Sequence, residues 1–312
     1  MDEVERIERR LKLRDLRVLM SVVQHGSMVK AAEHLGTSQP AVSRTISDLE
    51  QSLGLRLLDR GPQGIVPTPY GHALMKRSVW FFDELRQGVK DLAFLADPTS
   101  GDVRIAAPIA VAAGFAAAVI DRLARRHPRV VCHLIVDQTG RTLEERRADL
   151  LIGRNLEPIN RDLMEAEFLY DDPLFVVASA KSPWFCRRNI TLADLMNERW
   201  VLPPPGNFVS AEVAEVFRAF GLDLPSATVV TFTGIARIAL VARGRFLTII
   251  PGCVVRSVGR DLPIKPLPIN LSGTSKPLAI LTLRNRTLTP VAQLFIDCAR
   301  EVAKPLASGK SV

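Results

Sequence analysis

Only four cysteines occur in the 312 residues, Cys132, Cys186, Cys253 and Cys298, and no two of them form a CxxC pair. That spacing argues against a disulfide framework and a structural zinc site, and predicts thiols packed as small apolar side chains in a protein of the reducing cytoplasm. The five histidines fall in no HExxH or comparable cluster, so no metal is expected. A nucleophile elbow, a phosphate-binding glycine loop and a dinucleotide fingerprint are missing too, which removes the usual sequence grounds for an enzyme or a bound cofactor. Long apolar runs are likewise absent. The longest, Ile105 to Ile120, is short for a membrane span and contains Pro108 and Gly114. The start is densely charged, unlike a signal peptide, so no membrane partner is expected. What is present is 47% hydrophobic residues and a mean hydropathy of +0.13, enough to pack two or three domains.

Net positive charge is small where nucleic-acid binding would first be sought. The net charge is +8, but residues 1–100 hold 14 Lys and Arg against 13 Asp and Glu, and the excess lies in residues 101–312. Any claim on DNA therefore rests on pattern, and the basic remainder hints at a small anionic ligand as readily as at scattered surface arginines.

The pattern begins with two apolar stripes. Met28, Ala31, Ala32 and Leu35 are spaced i, i+3, i+4 and i+7, as are Val42, Ile46, Leu49 and Leu53, which predicts two amphipathic helices. Ser27 and Ser38 stand at the N-cap positions, Pro40 falls in a first turn, and Gly36 supplies a left-handed stop. Leu16, Leu19, Met20 and Val23 form a third stripe. With its stripe inward, the second helix presents Gln39, Pro40, Ser43, Arg44 and Ser47 outward, free of acids until Asp48. Arg suits guanine O6 and N7, Gln suits adenine, and Ser suits base or phosphate, so this face fits a major groove. Leu57 to Arg60 and Gly64 to Pro67 flank the turn Gly61-Pro62-Gln63 and predict a β-hairpin wing with Arg60 near phosphate or minor groove. A helical hairpin buried in a larger enzyme is the plainer alternative.

Thr68-Pro69 starts another helix, free of proline to about Ala96. Met75, Ser78, Phe82, Leu85, Val89, Leu92 and Ala96 alternate steps of three and four, the seam of a coiled coil, so two chains are expected to pair; packing on its own domain would use the same stripe.

Taken together, Gly26-Ser27, Ala31-Ala32-Glu33, Leu35, Ser38 to Ser43, Ile46, Leu49-Glu50, Leu53-Gly54, Leu57 to Arg60 and Thr68 to Gly71 resemble the amino-terminal domain of LysR-type transcriptional regulators. The resemblance implies a winged helix-turn-helix over 1–67, a linker helix over 68–98 and an effector-binding domain over 99–312. It implies that Gln39, Pro40, Ser43 and Arg44, with Ser38 at the helix start, contact the groove of operator or promoter DNA, and Arg60 its backbone or minor groove. RNA polymerase, and a homodimer doubling to a homotetramer, are the further partners it implies. Residues 1–12 precede the family's usual start and receive no function.

Beyond Asp97-Pro98-Thr99-Ser100-Gly101 the rhythm becomes alternating β and α, which predicts open parallel sheets and an α/β class overall. Two lobes are expected, lobe I from 101–172 and 278–312 and lobe II from 173–277, resembling periplasmic solute-binding proteins with ligand in the cleft. Ligands of such sheets sit beyond the strand carboxyl ends, which here are Pro108-Ile109-Ala110, Thr139-Gly140, Gly153-Arg154, Pro203-Pro204 and Thr231 to Gly234. Arg154 is the charged group that this places at the cleft, an expected partner for an effector anion, with hydroxyls from Thr139, Thr231 and Thr233. Relatives often carry Ser or Thr where this chain has Pro108-Ile109-Ala110. The competing class is a small-molecule-binding or enzymatic α/β protein whose first helices serve only dimerisation.

Overall fold

The computed structural model describes residues 5, 10–61, 64–154, 160, 162–258, 262–271 and 273–307. Most of the charged lead over residues 1–12, and the wing-tip residues Pro62 and Gln63, lie outside these. The chain forms two compact units, Met1–Arg86 and Gln87–Val312.

In the first unit, α1 (Leu13–His25), α2 (Met28–Leu35) and α3 (Gln39–Leu53) bring the three apolar stripes together. Leu19, Val22, Ala31, Val42 and Ile46 are buried completely, and Leu57 and Leu58 close the core from the hairpin. The sharp turn between α2 and α3 needs a left-handed residue, and Gly36 (φ 62°) provides it, its N–H donating back to Ala32 and Glu33 carbonyls. Strands β1 (Leu58–Gly61) and β2 (Gly64–Pro67) pair antiparallel, with Arg60 opposite Ile65. Glu50 anchors the hairpin: its Oε1 accepts the N–H groups of Leu57 at 2.6 Å and Leu58 at 3.1 Å. On the other strand the Ile65 N–H donates to the Gly26 carbonyl at 3.0 Å. Glu50→Ala removes the carboxylate acceptor of these two N–H donors, and is expected to cost the first unit about 2 kcal/mol. Its denaturant transition should move to lower concentration and the Leu57 and Leu58 amides should exchange faster; unchanged exchange would mean that Glu50 does not hold the wing.

Helix α4 (Pro69–Ala96) starts at Thr68, whose hydroxyl donates to the Arg56 carbonyl at 2.7 Å and accepts the Gly71 N–H at 3.1 Å. A Cβ on Gly71 would lie 2.1 Å from the Leu57 carbonyl oxygen, so only glycine allows this approach. The helix runs unbroken past Gly88, and the boundary between the compact units falls inside it, after Arg86. Along the seam, Ser78 and Phe82 are buried, with the Arg17 guanidinium 5.2 Å from the Phe82 ring centroid. Leu85, Val89 and Leu92 are 43%, 59% and 69% exposed. The early half of the stripe thus packs on its own domain and the later half lies open.

Among the described residues ten of the twelve strands lie in the second unit. Its larger sheet has the order β4-β3-β5-β12-β6, with β3 (Ser100–Ala107), β4 (Arg129–Val136) and β5 (Leu150–Arg154) parallel. β12 (Lys276–Leu283) runs antiparallel between β5 and β6 (Met164–Asp172). β6 passes through Pro173 directly into β7 (Leu174–Ser179), the centre strand of a second sheet between β10 (Thr248–Pro251) and β11 (Ile264–Pro266), both antiparallel to it. β8 (Trp200–Leu202) and β9 (Ala227–Val230) pair parallel. The sheets expected to be wholly parallel are therefore mixed, and the reason is topological: the chain leaves one lobe along β6 and returns along β12, so these neighbours run in opposite directions.

The helices of this unit fill the faces. α5 (Ile109–Val111) leads through a π turn, Ala112–Ala116, into α6 (Ala117–Arg126), and α7 (Arg141–Glu144) follows β4. α8 (Phe208–Ala219), α9 (Gly234–Ala242) and α10 (Gly252–Val258) belong to the lobe of β7, and α11 (Pro290–Ala307) returns to the first lobe. Of the cysteines, all unpaired, Cys253 and Cys298 are buried, Cys132 is half-buried and Cys186 is exposed. Among the described residues no helix is long and apolar enough to cross a membrane.

Candidate functional site

On the first unit, the predicted reading face is assembled as a surface. Ser38, Gln39, Pro40 and Arg44 are exposed and Ser43 is half-buried, all within the first two turns of α3. Ser27 and Ser38 hold the extended backbone of N-caps, but neither side chain bonds a first-turn amide, contrary to the capping expectation. The hydroxyl of Ser38 and the amino-terminal N–H groups of α3 are thus available to a phosphate or a base. Arg44 is paired with no carboxylate of the described residues. Arg60, exposed on β1, is equally free because its neighbour Asp59 engages Arg56 at 3.5 Å.

In the second unit a cavity of about 360 Å³ opens between the two lobes. Pro108, Ile109, Ala110 and Pro203 line it as expected, together with Val213, Phe232, Ile235, Ile238 and Val254, so its wall is overwhelmingly apolar. Thr139, Thr231 and Thr233 are not among the lining residues. Thr139 instead belongs to a turn organised by Asp137, whose Oδ1 accepts the Thr139 N–H at 2.8 Å, its hydroxyl at 3.0 Å and the Gly140 N–H at 3.0 Å. Oδ2 accepts the Thr142 N–H at 2.9 Å and the Thr142 hydroxyl. The Thr231 hydroxyl accepts the Thr233 N–H at 3.2 Å. Threonine at these strand ends serves the backbone, as its short hydroxyl does in turns generally.

Burial alone would raise the Asp137 carboxyl, but the hydrogen bonds from Thr142 and Thr139 outweigh it and hold it at about 2, below the ordinary 3.8. A depressed folded value contributes stability above pH 3.8 that is lost as pH falls toward 2. Asp137→Asn is therefore expected to lower stability at pH 7 and to flatten its fall between pH 4 and pH 2. Parallel stability curves for the two proteins would exclude this.

Arg154 reaches the cavity but arrives with its charge matched. It is 6% exposed; its Nε donates to the Asp172 carbonyl at 2.9 Å and lies 3.4 Å from the Asp172 carboxylate, and Nη1 bonds Glu212 from α8. Asp172, wholly buried, also receives Arg256 from α10 at 2.6 Å. Burial pushes both the Asp172 and Glu212 carboxyls up, against the pull of Arg154 on each and of Arg256 on Asp172. The four groups form a neutral set that ties β5, α8 and α10 together at the point where β6 becomes β7.

Arg237, which strand-end reasoning did not single out, is the other cation at the cavity. It is the fourth residue of α9, 8% exposed, with Nη1 only within a long 3.5 Å of the Ile249 carbonyl. Its Nε has no partner, and burial lowers its basicity with no carboxylate opposing the effect. The signal in the sequence was partial: Gly234 to Ala242 is apolar except at Arg237, and Arg237 shares the buried face with Ile238 and Val241 while Ile235 stays exposed.

Comparison with known proteins agrees with both units. The family model described as a bacterial regulatory helix-turn-helix protein of the lysR family matches residues 13–72, and the LysR substrate binding domain matches residues 81–304. The SDS degradation transcriptional activation protein of a Pseudomonas species is 32% identical over 301 residues, covering 90% of this chain and 93% of the relative. The HTH-type transcriptional regulator GbpR of Azospirillum brasilense is 27% identical over 298 residues, covering 94% and 87%. Among solved structures, full-length CbnR complexed with its target DNA matches with a TM-score of 0.64 at 21% identity, covering 94% of this chain and 100% of that one.

Proposed function

The chain belongs to the LysR family of transcriptional regulators, DNA-binding proteins with an effector-binding domain and no catalytic role, and on that premise we propose how its residues divide the work. Ser38, Gln39, Pro40, Ser43 and Arg44 read the major groove of an operator, and Arg60 on the wing contacts the backbone or minor groove. The observation that carries this reading is the unpaired, exposed Arg44 beside Gln39 and Ser43 on the amino-terminal face of α3. Two chains pair through the open part of the α4 stripe, Leu85, Val89 and Leu92, because a single helix reads too few bases and a symmetric dimer reads two half-sites. The effector is a small molecule held in the cavity between the lobes, and its binding favours one arrangement of the lobes over another, changing how the dimer fits and bends its DNA.

Selection of bound sequences from random duplex DNA by the full-length protein tests this directly. An enriched inverted repeat with half-sites about one helical turn apart is the expected result. A bound set without enrichment, at low salt and with candidate effectors present, would leave the α/β ligand-binding reading in its place.

A further inference from the structure

We propose that Arg237 and the amino-terminal turn of α9 receive the single negative charge of the effector, so that the cavity selects a monoanionic amphiphile, one carboxylate or sulfate head on an apolar body. The proposal rests on the cavity being the effector site. Three observations carry it.

The first is charge. All three arginines keep one buried nitrogen without a partner, but Arg154 and Arg256 are matched by Glu212 and Asp172, whereas no carboxylate of the described residues faces Arg237, which is 92% buried. A buried guanidinium is retained where something pairs with it, and here the open side is the cavity. The second is the helix end. Gly234 and Ile235 line the same cavity, their amides belong to the first turn that has no intrahelical acceptor, and Thr233 places no side-chain oxygen on them. A forked guanidinium beside free amides matches an oxyanion head, whose oxygens accept from both at once. The third is the remainder of the wall. Ile109, Val213, Phe232 and Ile238 offer the rest of the ligand nothing to bond, and the other charged groups at the cavity, Arg154 and Glu212, already satisfy each other. A second anionic group, as on a dicarboxylate, would find no free cation there.

The test is calorimetric titration of the full-length protein with octanoate, octyl sulfate and octanol, using wild type, Arg237→Gln, Arg237→Lys and Ile109→Trp, the last narrowing the cavity mouth away from the charge. Losing a desolvated charge pair corresponds to about 30-fold or more in affinity. Arg237→Gln is expected to weaken one or both anions by that factor while Arg237→Lys loses less, and the tighter of the two heads identifies which anion the site was shaped for. Octanol should bind wild type as weakly as the anions bind Arg237→Gln, and the unliganded Arg237→Gln protein should melt no lower than wild type. Ile109→Trp should weaken every probe. Anion affinity unchanged in Arg237→Gln but lost in Ile109→Trp would overturn the assignment of Arg237 and keep the cavity. Affinity unchanged in both would overturn the cavity reading as well. Octanol binding as tightly as octanoate, or no probe binding, would overturn the ligand class.

Discussion

Arg44→Ala is expected to abolish specific operator binding while leaving the fold and the effector site untouched. Arg44 is exposed on the outward side of α3 and is not part of the core beneath it, where Val42, Ile46 and Leu49 do the packing. Alanine is a strong helix former, so the cost to stability at this position stays within about 0.5 kcal/mol. A good bidentate contact to a base discriminates by about 1–3 kcal/mol, and a symmetric dimer makes the contact twice, so the loss amounts to roughly a hundredfold or more on the cognate site. Nonspecific DNA, bound through phosphates, should lose far less, and the preference at one base of each half-site should relax. Arg60→Ala is the informative contrast: a backbone contact weakens all sequences together and reduces the salt slope. Fluorescence anisotropy on cognate and scrambled duplexes across a salt series separates the two. If Arg44→Ala lowered affinity equally for both duplexes, Arg44 would be a phosphate contact and the base reading would lie elsewhere on the face.

The exposed face of α3 was legible in the sequence because everything that positions it is local. Stripe spacing orients α2 and α3, Gly36 sets the turn, and the same spacing leaves Gln39, Ser43 and Arg44 on the outside. The cavity was legible only in outline. Pro108, Ile109, Ala110, Arg154 and Pro203, chosen by strand-end logic, line one cavity from its two lobes, since that logic depends on strand direction alone. It failed on the hydroxyls, although Asp137 two residues before Thr139 is an Asx-turn pattern that explains where that hydroxyl goes. It also failed on charge, because pairing is a long-range property: Arg154 meets Glu212 across 58 residues of chain. Which arginine stays unpaired depends on all the carboxylates around it, and no local window contains them. β6 was missed for a similar reason. Met164 and Ala166 alternate with Glu165 and Glu167, a strand signal, but its place beside β12 follows from the crossing between lobes.

Asp172→Ala is the substitution expected to damage the second unit most. The carboxylate is wholly buried and engages Arg154 and Arg256, so its removal leaves the buried Arg154 with Glu212 as its remaining acid and strips the half-buried Arg256 of its carboxylate. Breaking a buried pair by deleting one partner costs about 3–5 kcal/mol, because the surviving charge loses solvation and partner together. Here the cost falls at the passage from β6 to β7, where both lobes are held, and the second unit's thermal transition should drop or broaden accordingly. Asp172→Ala combined with Arg154→Met and Arg256→Met removes the stranded charges, and should recover much of the loss if electrostatics is the cause. A triple variant no more stable than the single one would place the cost in packing instead. The same logic separates the two arginines of the cavity. Arg154→Ala strands Glu212 and half of Asp172, so any loss of effector affinity should arrive with a loss of stability. Arg237→Gln strands nothing, so its effect on an anionic ligand should appear in affinity alone.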